Sequence, residues 1–186
     1  RGVSELGFTE HCYRFSAFAP VFKGLESGPD SYPEVADFLS HCFIDNLADY
    51  VEFITALKEK GYPLRLGLEV DFVPGREEEI ARALAGYPWD YVLGSVHFLG
   101  NWSIDADPKL GWPTKDVAAV YREYFQVWGA ACASGLFQTM AHPDLIKKFG
   151  HRPPQMPAEL YRKAADVAAN AGVAIEVSSA GLRKPV

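Results

Sequence analysis

Apolar residues along this chain gather in five short, nearly continuous runs, separated by stretches in which they recur every three or four positions. The runs at 5–9, 64–72, 91–96, 136–141 and 172–178 have the pattern of strands buried on both faces of a parallel sheet. Between the first two, Leu39, Phe43, Leu47, Tyr50, Val51, Ile54 and Leu57 keep helical spacing, which predicts one helix over 33–60 with Gly61 as its C-terminal cap. A short helix over 76–85 is bracketed by Gly75 and Gly86. Thr114 is the N-cap candidate of a third, ahead of Val117, Val120, Tyr121, Tyr124, Phe125, Val127 and Trp128. An alanine-rich helix over 157–171 closes at Gly172.

The order is β-α-β-α-β-α-β-α-β, an α/β chain that right-handed crossovers turn into a parallel sheet, open or closed into a barrel. No short repeat or low-complexity stretch interrupts it. Two long connections, 12–32 and 98–113, leave the C-terminal ends of strands, where such folds place active sites and binding loops.

Those ends carry the chemistry. The first strand runs into His11, the second carries Glu69 and Asp71, the third delivers His97, and the fourth delivers His142 followed by Pro143 and Asp144. The fifth contains Glu176 and leads to Ser178, Ser179 and Arg183. Parallel alignment puts all of them on one face. Neutral imidazole and carboxylate are ordinary ligands of zinc, manganese and iron. There is no HExxH motif and no cysteine pair; the signal is the repeated position at strand ends. One strand-end histidine is commonly a hydrogen-bonded core residue. Three, with a Glu69 that would be costly to bury alone, read as a site. Asp71 is read either as solvated or as standing behind the ligands, and Asp144 as a loop or cap residue orienting its neighbour. His41 and His151 read as ordinary surface histidines. At least one of Lys147 and Lys148 reads as solvated, and the loop holding Trp102 and Trp112 as lid or as packing.

Composition narrows the field. A length of 186 residues suits a single domain, and 48% hydrophobic with 23% charged residues is ordinary for a folded soluble one. The net charge of −6 weighs against nucleic acid, and no apolar run is long enough to span a membrane. Cys12, Cys42 and Cys132 are odd in number and far apart, which fits reduced thiols in the cytoplasm. The chain opens at Arg1 rather than Met, so its natural N-terminus is expected to lie upstream. Nothing here indicates oligomeric state.

The segments Gly7-Phe-Thr-Glu-His11, Gly67-Leu-Glu-Val-Asp71, Gly94-Ser-Val-His-Phe98, Ala141-His-Pro-Asp-Leu145 and Ser178-Ser-Ala-Gly-Leu-Arg-Lys-Pro185 occur in the same order in one family. With them the chain resembles the histidinol-phosphatases of the PHP (polymerase and histidinol phosphatase) superfamily over nearly its whole length. The resemblance implies a distorted (β/α)7 TIM-like barrel with up to three divalent ions, zinc, manganese or iron, on the C-terminal face of its strands. By motif match, His11 binds one outer ion, Glu69 bridges two, and His97 with His142 completes the shell of a third. Arg183 matches an arginine turned toward the substrate phosphate, and Lys148 is a second phosphate candidate.

The family's opening strand with His-x-His, a further histidine, and a closing strand with Asp-x-His have no counterpart in the chain. It is therefore expected to be a fragment, a single partial domain over 1–186 with about five strands and four helices. The general acid is expected in the segment beyond its C-terminus, and the fragment alone is expected to be inactive. The implied reaction of the parent is hydrolysis of L-histidinol phosphate to L-histidinol and phosphate in histidine biosynthesis. Loops carrying Phe15, Phe18 or Trp102 would close over the imidazole of this small phosphorylated substrate. Competing readings are a PHP-type phosphodiesterase acting on small nucleotides, a non-catalytic scaffold, and a metal-dependent amidohydrolase, which would not need Arg183.

Overall fold

The computed structural model describes residues 2–27, 31–155, 158–179 and 182. In chain order its strands are β1 (Leu6–His11), β2 (Leu64–Asp71), β3 (Tyr91–Ser95), β4 (Phe98–Leu99), β5 (Trp102–Ser103), β6 (Thr139–Met140) and β7 (Ala174–Ile175). The α-helices are α1 (Ala19–Phe22), α2 (Pro33–Ser40), α3 (Leu47–Glu59), α4 (Glu77–Leu84), α5 (Val117–Ala133) and α6 (Ala158–Ala171). Strands β1, β2, β3, β6 and β7 form one sheet in that order, every pair parallel, while β4 and β5 form a separate hairpin. The α/β reading and the five parallel strands are thus as expected, with the last two strands shorter.

Register decides where chemistry can gather. His11 lies opposite Glu69, Asp71 opposite Ser95, and Gly94 opposite Met140, so the C-terminal ends of neighbouring strands come level. Strand β2, paired with β1 on one side and β3 on the other, buries Leu66, Leu68 and Val70 completely on one face. On the opposite face Gly67 and Asp71 are buried as well, which fits a sheet covered on each side, with α5 packing against α6 and α3 against β2.

The expected helix over 33–60 is two helices. Phe43 takes a left-handed backbone conformation, φ 61°, and its N–H donates to the Tyr13 carbonyl at 2.8 Å. The Asp45 N–H donates to the Arg14 carbonyl at 2.9 Å, and the Ser16 N–H to the Asp45 carbonyl at 3.0 Å. These bonds to the loop after β1 take the backbone groups that helix continuation would use, so tertiary pairing overrides the periodicity. Asn46 then restarts the helix, its side chain accepting from the Ala48 N–H. Gly61, φ 86°, ends α3 as expected. The N-cap of α5 is Asp116, accepting from the Ala118 N–H at 2.9 Å; Thr114 belongs to a preceding 3-10 turn, Trp112–Thr114. Of the expected helix over 157–171, Pro157 is outside the described residues.

Tyr91 explains two glycines of the strands. Its ring lies so close that a Cβ on Gly67 would meet ring carbons at 2.5–2.6 Å, and one on Gly7 would meet its hydroxyl at 2.1 Å. Its hydroxyl donates to the Phe8 carbonyl at 3.2 Å. A Cβ on Gly67 would also stand 2.7 Å from the Phe8 carbonyl oxygen, which cannot rotate away. Gly67→Ala is therefore expected to destabilise the fold by about 1–3 kcal/mol, the usual cost of overpacking. Urea unfolding checks this, and an unchanged midpoint would show that the sheet yields at this point.

Candidate metal centre

Glu69 sits near the end of β2, and its carboxylate is the hub of the site. Its Oε1 faces three imidazole nitrogens: His142 Nε2 at 3.0 Å, His97 Nε2 at 3.5 Å and His11 Nδ1 at 3.6 Å. The rings of His97 and His142 lie 5.0 Å apart, and those of His11 and His97 5.8 Å. All four residues singled out as ligands thus stand together at one end of the sheet. Burial alone would push the Glu69 carboxyl up. The His142 hydrogen bond and the charges of His11, His97 and His142 outweigh it and hold the group below its ordinary value.

The donor set fits a cation. Ligand atoms in a tetrahedral shell with bonds of about 2.1 Å lie about 3.4 Å apart, close to the three distances at Glu69 Oε1. At 3.5 and 3.6 Å the His97 and His11 nitrogens are too far for good hydrogen bonds to that oxygen. Among the described residues His11 Nδ1 is buried without a hydrogen-bond partner. Glu69, His97 and His142 each offer one ligand atom within 4.8 Å of the others.

A layer of buried groups fixes this arrangement. Asp71 is fully buried, which excludes its reading as solvated, and its Oδ1 lies 2.6 Å from His97 Nδ1. That contact leaves His97 Nε2 turned toward Glu69. The Cys12 thiol donates to the other Asp71 oxygen at 3.6 Å, and burial, with Asp71 adding to it, pushes the thiol well above its ordinary pKa, so it stays a donor. Tyr13 stacks on the His11 ring at 4.8 Å, and burial raises its hydroxyl to about 12. His142 has φ 24°, an unusual conformation for a residue with a Cβ. Its N–H donates to Glu176 Oε2 at 2.7 Å, and its carbonyl accepts from the Tyr124 hydroxyl at 3.3 Å. The sequence offered a cue for Cys12 and Tyr13, which follow His11 directly, but none for Tyr124, whose spacing is that of a core residue.

Beside the cluster opens a cavity of about 370 Å³, bounded by His11 and His97 on one side and by Tyr13, Tyr32, Phe38 and Trp102 on others. Glu34 and Asp105 also line it. Phe15 and Phe18, expected as contacts there, are instead core residues, 2% and 0% exposed, because the 3-10 turns after β1 fold them inward. The tryptophan loop resolves as packing. Trp102 and Trp112 are both buried, with ring centroids 5.0 Å apart, and their indole N–H groups donate to the Leu110 and Ile104 carbonyls.

His151, expected at the surface, is half-buried and stacks on Trp112 at 4.4 Å, because the loop after Lys148 folds back over the tryptophans. His41 is exposed at the end of α2. Asp144 is exposed at the start of the 3-10 turn Leu145–Lys147, without a side-chain cap. Lys147 lies over the Tyr161 ring, and the Lys148 ammonium donates to the Asp105 carbonyl at 2.7 Å and to its carboxylate at 3.0 Å. Arg183 lies outside the described residues.

Comparison with known proteins identifies the family and the fold. The model of the family described as the PHP domain matches residues 1–180. A Deinococcus radiodurans protein named "probable histidinol-phosphatase" is 40% identical over 147 residues, covering 77% of this chain and 56% of that protein. The histidinol-phosphatase of Bacillus subtilis is 28% identical over 205 residues, covering 99% of this chain and 72% of its own length. The chain therefore spans little more than half of the first relative. A crystal structure of histidinol phosphate phosphatase from Lactococcus lactis, complexed with zinc, L-histidinol and phosphate, superposes with a TM-score of 0.63 at 16% identity. It covers 93% of this chain and 72% of that one. At that identity the likeness speaks for the fold.

The His97–Asp71 contact predicts a pH dependence. Burial alone would lower the His97 pKa, but the charge and hydrogen bond of Asp71, with Asp105 and Glu69, raise it from 6.5 to about 9. A group raised on folding contributes stability that is fully present below its unfolded pKa and is lost as pH rises through the folded one. In chelator, the thermal midpoint is expected to fall between about pH 6.5 and 9, and His97→Gln to flatten that slope. An identical slope in the variant would show that other groups set it.

Proposed function

The chain belongs to the PHP domain family, and from that premise we propose that its parent protein hydrolyses L-histidinol phosphate to L-histidinol and phosphate. The observation that carries this is the convergence of three imidazoles on Glu69 Oε1 beside an aromatic cavity with two carboxylates. His11, Glu69, His97 and His142 hold divalent ions, up to three of zinc, manganese or iron, in the complete site. Bound there, such ions lower the pKa of a coordinated water and neutralise phosphoryl oxygens, which otherwise repel a nucleophile. In the net reaction the oxygen of water forms the new bond to phosphorus as the ester P–O bond breaks, and the proton that water gives up is balanced by the one that the leaving alkoxide takes on.

The protein's own groups do the remaining work. Asp71 keeps His97 in the tautomer with Nε2 free. The cavity takes the organic part of the substrate, Tyr13, Tyr32 and Phe38 meeting its flat imidazole. Glu34, in the first turn of α2, supplies a carboxylate for its ammonium group. Arg183 and Lys148 are assigned to the phosphate; Arg183 would give it bidentate hydrogen bonds. Lys148, tied to Asp105, sits beside the cavity's acidic wall. Among the described residues no helix is long and apolar enough to cross a membrane. A cytoplasmic location and a small-molecule substrate, rather than nucleic acid, accord with the free cysteines and the net charge of −6.

Phosphate release by the zinc-loaded full-length protein tests the reading. Activity on L-histidinol phosphate should disappear with chelator and return with metal. Glu69→Gln or His142→Ala should lower kcat/KM about a thousandfold, the factor that a few kcal/mol of lost transition-state stabilisation produces. Faster turnover of bis(p-nitrophenyl) phosphate than of L-histidinol phosphate would instead make the protein a phosphodiesterase. Glu34→Gln is expected to raise KM for L-histidinol phosphate severalfold while leaving p-nitrophenyl phosphate, which lacks the ammonium, unaffected. Equal effects on both substrates would remove Glu34 from substrate recognition.

A further inference from the structure

The parallel ladder between β6 and β7 runs out in an unusual way. The Ala174 N–H donates to the Gln138 carbonyl at 2.9 Å and the Glu176 N–H to the Met140 carbonyl at 2.9 Å. The next rung of a parallel ladder would take the His142 N–H to the Glu176 main-chain carbonyl. Here the Glu176 side chain takes it, Oε2 accepting at 2.7 Å. The strand has ended, His142 has turned to φ 24°, and a carboxylate has replaced the backbone acceptor.

On the other side of the residue, the His142 carbonyl accepts from the Leu145 N–H at 2.9 Å and from the Tyr124 hydroxyl at 3.3 Å. Tyr124 is fully buried, and burial pushes its hydroxyl up, so it remains a donor. A glycine would take a positive φ without strain. This chain places a histidine there, and the imidazole reaches Glu69 Oε1 at 3.0 Å.

We infer that Glu176 and Tyr124 are positioning residues that grip the main chain of His142 from both sides and so hold its imidazole in the metal centre. The inference rests on the reading of the cluster as a metal centre. The grip acts on the backbone of the ligand, whereas Asp71 acts on the ring of His97. Among the described residues His142 Nδ1 is buried without a hydrogen-bond partner, so none of them orients the ring through that nitrogen. Apart from the Nε2 contact with Glu69, the ring is placed by the peptide that carries it.

The test is the zinc affinity of this chain, by competition with a chromogenic chelator, alongside the thermal midpoint in chelator. Glu176→Ala should weaken zinc binding by about 10- to 100-fold, the usual effect of losing a group that orients a ligand. Glu176→Gln keeps an oxygen acceptor for the same N–H and should stay within about threefold of wild type on that scale. Tyr124→Phe should weaken zinc binding severalfold. Wild-type affinity in Glu176→Ala, or Glu176→Gln as weak as Glu176→Ala, overturns the inference. If Glu176→Ala does not fold, Tyr124→Phe decides, and wild-type affinity there overturns it. His142→Ala separates the two levels. Zinc binding unchanged in His142→Ala sinks the metal-centre reading itself, whereas loss there with full retention in the other variants sinks only the grip.

Discussion

A carboxylate near the end of a central, doubly covered strand has to be compensated, and the rest of this site follows from how Glu69 is. Its side chain is 13% exposed, between β1 and β3. A charge in that position is costly to bury unless opposite charge or hydrogen bonds meet it. Three imidazoles from three different strand ends do so, and parallel register brings them there, since His11 lies level with Glu69 itself. The sheet is therefore the device that makes the cluster possible. Its covered faces make the carboxylate expensive, and its level ends supply the partners.

The imidazoles are held by unlike means, and the difference follows from where each leaves its strand. His97 follows β3 by two residues, beside buried Asp71, and is fixed through its Nδ1. His142 follows the short β6, where the ladder is ending, and none of the described residues partners its Nδ1; its main chain is held instead. His11 ends β1 and leans on the ring of Tyr13, whose own carbonyl accepts from Phe43. That last contact is one of those that break the helix over 33–60, so the interruption of a regular element and the support of His11 are linked.

This accounts for what could be read in the residues and what could not. His11, His97 and His142 were legible because each stands where a buried apolar run stops, and Glu69 because a carboxylate inside such a run is costly to bury alone, local features that need no tertiary knowledge. The five parallel strands were legible for the same reason. The supporting groups were not. Asp71 left two readings open, because a carboxylate two residues beyond Glu69 can face solvent or core, and only the packing of Cys12 against it decides. Phe15 and Phe18 look like loop aromatics along the chain, yet the turns after β1 send them into the core. Tyr124 has the helical spacing of any packed aromatic on α5, and its hydroxyl acquires meaning only when β6 ends beside it.

The acidic cavity beside the cluster completes the electrostatic logic. A metal centre that attracts phosphate is indifferent to what the phosphate is attached to, since phosphoryl oxygens present the same charge in every monoester. In the proposed reaction, selectivity then has to come from the other end of the substrate, and the cavity beside the cluster presents Glu34 and Asp105 among aromatic rings. A second anionic group would be repelled at that wall, while a cationic nitrogen would be drawn in, so the two halves of the site accept opposite charges. Asp105 is already engaged by Lys148, whereas Glu34 makes no hydrogen bond or ion pair among the described contacts. Under the proposed function, the carboxylate left to distinguish one phosphate ester from another is therefore the one on α2, carried by the same loop-and-helix segment that the Tyr13–Phe43 contact docks against the sheet.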